Sequence, residues 1–223
     1  IEENKFKQIS YKNLFKNVEP LEIEKYGKFE AYANRDSLKY RSIYSLDNID
    51  TLFRGTIRRA GFSKAWDIFV TLGMTDDSYT IKDSVKMSNR DYINYFLSSN
   101  SKESAESKIK NQFELDEKNI IWNKLLELNI FDDKAKIPLN NATPAQILEH
   151  ILLQKWKLEK NDKDMVVMYH KFGYKKNNKL HQIDSTMVSI GEDETYTAMA
   201  KTVGLPLAIA ALAILNNKIK SKG

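Results

Sequence analysis

The side chains best suited to chemistry lie in two short segments, Asn34-Arg35-Asp36-Ser37 and Arg54-Gly55-Thr56-Ile57-Arg58-Arg59. An arginine carries a rigid fork of donors that matches a carboxylate at two points, so two such segments brought together would suit a ligand with several carboxylates. The alternation of residues 51–58 predicts a strand with Leu52, Arg54, Thr56 and Arg58 on one face and Phe53, Gly55 and Ile57 on the other. Arg54 and Arg58 would then point the same way. Gly55 inside a strand marks a bulge or a place where something approaches the backbone closely. The plainer alternative is a set of surface ion pairs, with Asp36 joined to Arg35 or Arg58.

Other chemistries find less support. His150, His170 and His181 are the three histidines, and none is spaced from another as metal ligands are, so no metal site is expected. The 223 residues contain no cysteine, which excludes disulfides, thiolate-held metals and thiol catalysis. No phosphate-cradling glycine loop and no G-x-S-x-G turn occurs. The net charge of +5 is spread rather than gathered into a basic stripe interleaved with aromatics, so nucleic acid is not an expected partner. Residues 1–7 lack a secretory core, and the 13 apolar residues 203–215 fall short of the roughly 18–20 that span a bilayer. A buried core helix, no membrane contact and a cytoplasmic location are the expectations.

The elements that must hold the arginines read as follows. Residues 5–9 and 26–32 are predicted strands. Phe62, Trp66, Phe69 and Val70 recur at helical spacing in residues 61–72, and Gly73 stops the pattern. Residues 87–160 read as helices: Ser88 with Asp91 opens one, Ile120, Ile121, Leu125, Leu126 and Leu128 line another, and Thr143-Pro144 starts a third. Strands return at 165–169 and 181–190 around a polar turn at 175–178, the outline of a hairpin before the final helix. The expectation is an α+β fold: a mixed β-sheet domain with an inserted all-helical subdomain and a long C-terminal helix. Its parts are 1–82 and 161–223 for the sheet domain and 83–160 for the insertion.

Asn34-Arg35-Asp36-Ser37 followed by Arg54-Gly55-Thr56-Ile57-Arg58 resembles the NRDS and RGTLR segments of the glutamate-forming saccharopine dehydrogenases. Further agreement comes from Gly73-Met74-Thr75-Asp76, from Asp164-Met165-Val166-Val167-Met168, and from Ala198-Met199-Ala200-Lys201-Thr202-Val203-Gly204-Leu205-Pro206, which matches the family's AMAKTVGLP almost letter for letter. The likeness runs from about residue 6 to 223 and is weakest in the helical insertion. Ile57 stands where leucine is usual and Arg59 where tyrosine is usual. The NRDS and RGT pair favours this family over carboxynorspermidine dehydrogenase, whose fold is similar.

The resemblance implies a sheet domain like the C-terminal domain of glyceraldehyde-3-phosphate dehydrogenase. It implies interconversion of saccharopine with glutamate and 2-aminoadipate 6-semialdehyde in lysine metabolism, by a homodimer. NAD or NADP would be bound by a Rossmann domain that has no counterpart in this sequence, so the chain alone is expected to be inactive. Arg35, Gly55, Thr56 and Ile57 inherit substrate-binding roles from the resemblance. Arg54 and Arg58 join them on the physical argument above, and no catalytic acid or base is indicated. A non-catalytic α+β dimerisation module is the alternative.

Overall fold

The computed structural model describes residues 1–99 and 102–221. They form two compact units, Ile1–Trp156 and Lys157–Gly223. The first opens with a one-turn helix α1 (Tyr11–Leu14) and an antiparallel sheet of β1 (Val18–Ile23), β2 (Gly27–Ala33) and β3 (Gly55–Arg59), in the order β1-β2-β3. Another single turn, α2 (Tyr40–Ile43), lies between β2 and β3, and α3 (Phe62–Leu72) follows the sheet.

Register explains how α3 is attached. β2 places Phe29 and Ala31 in the core on one face, while Glu30 points to the other, opposite Arg58. The buried Glu30 carboxylate accepts the backbone N–H groups of Gly61 (3.0 Å) and Ser63 (2.5 Å), supplying the helix N-terminus with the acceptor that no capping side chain provides. Gly73 ends α3 in the left-handed conformation at φ 85°, with Met74 N–H donating back to the Phe69 carbonyl (2.9 Å).

The rest of the first unit is helical: α4 (Asn89–Tyr95), α5 (Ala105–Phe113), α6 (Ile120–Glu127) and α7 (Pro144–Trp156). Local chemistry sets their starts. Ser88 and Asp91 form a reciprocal capping box, Asn119 accepts from Ile121 N–H (2.9 Å), and Thr143 and Gln146 bond each other's backbone. The inward faces meet in one core that includes Tyr92, Ile109, Trp122, Ile147 and Ile151. Arg90 holds both carboxylate oxygens of Glu106 (2.6 and 3.0 Å), tying α4 to α5. That bonding keeps the Glu106 carboxyl below its ordinary value, against a smaller opposing effect of burial.

In the second unit, β4 (Met165–Lys176) and β5 (Lys179–Ile190) pair antiparallel along their whole length. Asn177 and Asn178 make the two-residue turn, both at positive φ (51° and 58°), the geometry that matches the twist of a hairpin and that asparagine tolerates. α8 (Ala198–Leu215) follows. Thr197 caps it by accepting from Ala200 N–H (3.0 Å), and Asp164 takes Ala198 N–H (2.5 Å) and Met199 N–H (2.8 Å).

Several expectations need correction. Residues 5–9 form no strand; an isolated bridge between Glu2 and Lys5 stands nearby. β1, not anticipated, carries Pro20, which suits only an edge position, and β1 is at the edge. The expected strand over 51–58 begins only at Gly55, because β2 runs out at Ala33, the partner of Gly55. The strands at 165–169 and 181–190 extend to 12 residues each. The final helix is not a core helix among the described residues: 6% of it is buried, Ala198 is its buried residue, and Met199, Val203, Leu207 and Ile209 are exposed. It also begins earlier than the stretch 203–215. At 18 residues with mean hydropathy 1.9, α8 is long and apolar enough to cross a membrane by length and composition. Pro206 sits inside it without ending it.

Candidate functional site

β2 ends at Ala33, and the chain turns through Asn34-Arg35-Asp36-Ser37. Asp36 accepts Leu38 N–H (3.0 Å) in an Asx turn, and the Ser37 hydroxyl donates to the Arg35 carbonyl (3.1 Å). Asn34 N–H donates to the Arg54 carbonyl (2.8 Å), which fastens this turn to the residue just before β3. The two arginine-bearing segments are thus joined at their backbones. Arg35 and Arg54 line one cleft of 660 Å³, closed on its other sides by Phe6, Ile9, Asn17 and Phe53.

The state of the two guanidiniums matters more than their positions. Arg35 is exposed, and Arg54 is half-buried with its guanidinium carbon 3.7 Å from the centre of the Tyr40 ring. Among the described residues neither guanidinium donates a hydrogen bond or joins an ion pair, and Asp36 pairs with neither Arg35 nor Arg58. The surface-pair alternative therefore does not describe these side chains. Arg35 and Arg54 thus line one cleft with their guanidinium donors unspent, and a planar guanidinium fork can receive a carboxylate or a phosphate group.

Gly55 sits where a Cβ would lie 2.7 Å from Cε1 of Phe53 and 2.9 Å from the Tyr32 carbonyl oxygen, so the close approach expected of a strand glycine is real and is made by this chain itself. Thr56 and Ile57 are half-buried in β3, opposite Tyr32 and Ala31. Arg58 is exposed, donates to the Ile57 carbonyl (3.1 Å) and lies 5.5 Å from the Phe62 ring centre. The structure brings Arg35 and Arg54 together. Gly55, Thr56, Ile57 and Arg58 continue away along β3 and do not line the same cleft. Tyr40, which the sequence does not single out, is the residue that sequence reasoning missed; its one local signal is the i,i+4 spacing to Tyr44, and its contact with Arg54 is made across 14 residues of chain.

No group of three or more histidine, aspartate or glutamate side chains among the described residues could hold a metal ion. His170 and His181 stack on Phe172 (5.7 Å) and Tyr174 (5.3 Å) of the hairpin, and His150 is half-buried on α7. Both sheets are wholly antiparallel. The described residues therefore provide no parallel β-α-β crossover of the kind that presents a helix N-terminus to a dinucleotide pyrophosphate.

Comparison with known proteins gives this arrangement its class. Residues 1–223 match the family described as the saccharopine dehydrogenase C-terminal domain, and the chain belongs to that family. It is 31% identical to the saccharopine dehydrogenase (NADP+, L-glutamate-forming) of Saccharomyces cerevisiae, over 99% of this chain and 50% of that protein. It is 31% identical to the mitochondrial alpha-aminoadipic semialdehyde synthase of Mus musculus, over 93% of this chain and 23% of that protein. The solved apo structure of the Saccharomyces cerevisiae enzyme superposes with a TM-score of 0.82 at 30% identity, covering 99% of this chain and 50% of the other. The α+β fold is the family's, and the chain spans about half the length of its yeast relatives or less than a quarter of the larger synthase.

Proposed function

We propose that this chain is the substrate-binding and dimerisation portion of a saccharopine dehydrogenase, the enzyme that interconverts saccharopine with L-glutamate and 2-aminoadipate 6-semialdehyde in lysine metabolism. The observation that carries this reading is the pair of unspent guanidiniums, Arg35 and Arg54, on one cleft. Saccharopine has three carboxylates, and each needs a charge-assisted donor when it leaves water. NAD or NADP would come to the reaction on a nucleotide-binding domain outside this chain; the names of the yeast relatives specify NADP. Within that division of labour Arg35 and Arg54 hold the substrate, and Gly55, Thr56, Ile57 and Arg58 extend the binding surface along β3.

Calorimetric titration of saccharopine into the folded chain tests the reading. Binding should be measurable, and Arg35→Ala should weaken it about 10- to 100-fold, the loss of a charge-assisted bond worth roughly 1.5–3 kcal/mol. Undiminished binding by Arg35→Ala would remove Arg35 from the site. The dimerisation half of the proposal is supported by the uncovered apolar surface of α8 and by exposed Met168, Phe172 and Ile183 on the hairpin. Sedimentation equilibrium of the chain should give twice the monomer mass at micromolar concentration, and a monomer throughout that range would count against it.

A further inference from the structure

We infer that Tyr40 is a positioning residue for substrate recognition: its ring holds the Arg54 guanidinium flat so that the edge of the fork stays free for a carboxylate of the ligand. The inference rests on the reading of the cleft as a carboxylate site and adds to it the residue that makes Arg54 competent. The guanidinium carbon stands 3.7 Å from the Tyr40 ring centre, within stacking distance. A stacked guanidinium spends its face and keeps all five N–H donors, which lie in its plane. A carboxylate partner would do the opposite, orienting the arginine while consuming the donors that a ligand needs. Among the described residues Arg54 has no such partner, so the ring is what orients it.

The ring is itself held. Tyr40 begins α2, its N–H donates to the Ser37 carbonyl (3.3 Å), and its ring stacks on Tyr44 at 5.7 Å and 29°. The Asx turn of Asp36 fixes the approach to α2, and the Asn34 N–H bond fixes the Arg54 backbone from the other side. Both ends of the Arg54 side chain, Cα and guanidinium, are therefore located by the same turn that carries Arg35. A long side chain ordered before binding loses less freedom when the ligand arrives. Lysine at 54 could not serve in this way, because an ammonium presents no plane to the ring and no paired donors to a carboxylate.

Two readouts on the full 223-residue chain test the role separately. The first needs no ligand: in 15N-labelled protein the Arg54 Nε–Hε group should be ordered and shifted by the ring current. Tyr40→Phe should keep that signature and Tyr40→Leu should abolish it, with folding of each checked by backbone spectra. The second is saccharopine titration, in which Tyr40→Phe should bind within about twofold of the parent and Tyr40→Leu about 3- to 30-fold more weakly, the span expected for a lost cation–π contact. Tyr40→Leu combined with Arg54→Ala should bind no more weakly than Arg54→Ala alone, since the ring acts only through Arg54. An Arg54 group equally ordered in Tyr40→Leu, or losses that multiply in the double variant, would overturn the inference. A parent chain that orders Arg54 on Tyr40 and yet binds no saccharopine would instead refute the reading of the cleft as a site this chain holds by itself.

Discussion

Tyr92→Ala should cost the first unit about 3–5 kcal/mol of stability, the range found when a large aromatic is cut from a packed core. Tyr92 is fully buried at the centre of the helical core, edge-on to Phe96 at 5.2 Å. Its hydroxyl donates to the Pro144 carbonyl (2.8 Å) and lies 3.3 Å from the Met74 carbonyl. Those carbonyls belong to the start of α7 and to the residue after Gly73 that helps close α3, so one phenol joins three helices. Burial, with a smaller contribution from neighbouring Tyr79, pushes the Tyr92 phenol far above its ordinary value and keeps it a neutral donor. The conservative Tyr92→Phe keeps the volume and removes only that donor, at a cost of about 1–3 kcal/mol. Urea unfolding of the parent and both variants separates packing from hydrogen bonding. A Tyr92→Phe protein as stable as the parent would show that the hydroxyl contributes nothing, and a loss below about 1.5 kcal/mol in Tyr92→Ala would mean that the core closes over the gap.

Gly191→Ala should disorganise the second unit, with a loss of about 3 kcal/mol, the upper part of the range for forcing atoms into occupied space. A Cβ at Gly191 would collide with the Asp164 carboxylate and lie 3.0 Å from Ala198 N and 3.1 Å from the Thr197 Cα. Two of the three obstacles are backbone, and the third is the carboxylate that receives the first N–H groups of α8. Gly191 N–H also donates to the Asp164 carbonyl (2.9 Å) at the open end of the hairpin, next to the Met165–Ile190 pair. The added methyl therefore strikes the joint between hairpin and helix rather than either element alone. Amide hydrogen exchange should show lost protection in the first turn of α8 and at the base of β4, while the first unit keeps its protection. A variant with unchanged exchange throughout would mean that the joint yields without strain.

How much of this was legible depends on whether the signal is local. α3 and α7 are readable because their apolar spacing and their stops or starts, Gly73 and Thr143-Pro144, lie within a few residues. The capping box of Ser88 and Asp91 is readable for the same reason. β1 is hidden, since Pro20 and three glutamates in and around it speak against a strand, and only its edge position permits them. The N-terminal cap of α3 is hidden too, because Glu30 lies 31 residues before Gly61 and reaches it only across the sheet. At the site, residue types pointed to Arg35 and Arg54, whereas their meeting depends on one backbone bond from Asn34 to Arg54 and on the Tyr40 ring. Placing Arg58 beside Arg54 assumed strand geometry through residues 51–58, and the strand starts after Arg54.

The bare flank of α8 also shapes how its unit would respond to heat and denaturant. Unfolding normally raises heat capacity because apolar groups meet water for the first time, and the denaturant slope grows with the same newly wetted area. In α8, Val203, Leu207, Ile209, Leu212 and Ile214 are already wet in the native fold. Melting this helix in the chain by itself would release little hidden surface, so the second unit should show a small heat-capacity increment and a broad, shallow transition for its size. A partner surface laid over the helix would restore the missing sharpness, and cooperativity in this part of the protein would then be a property of the contact as much as of the chain.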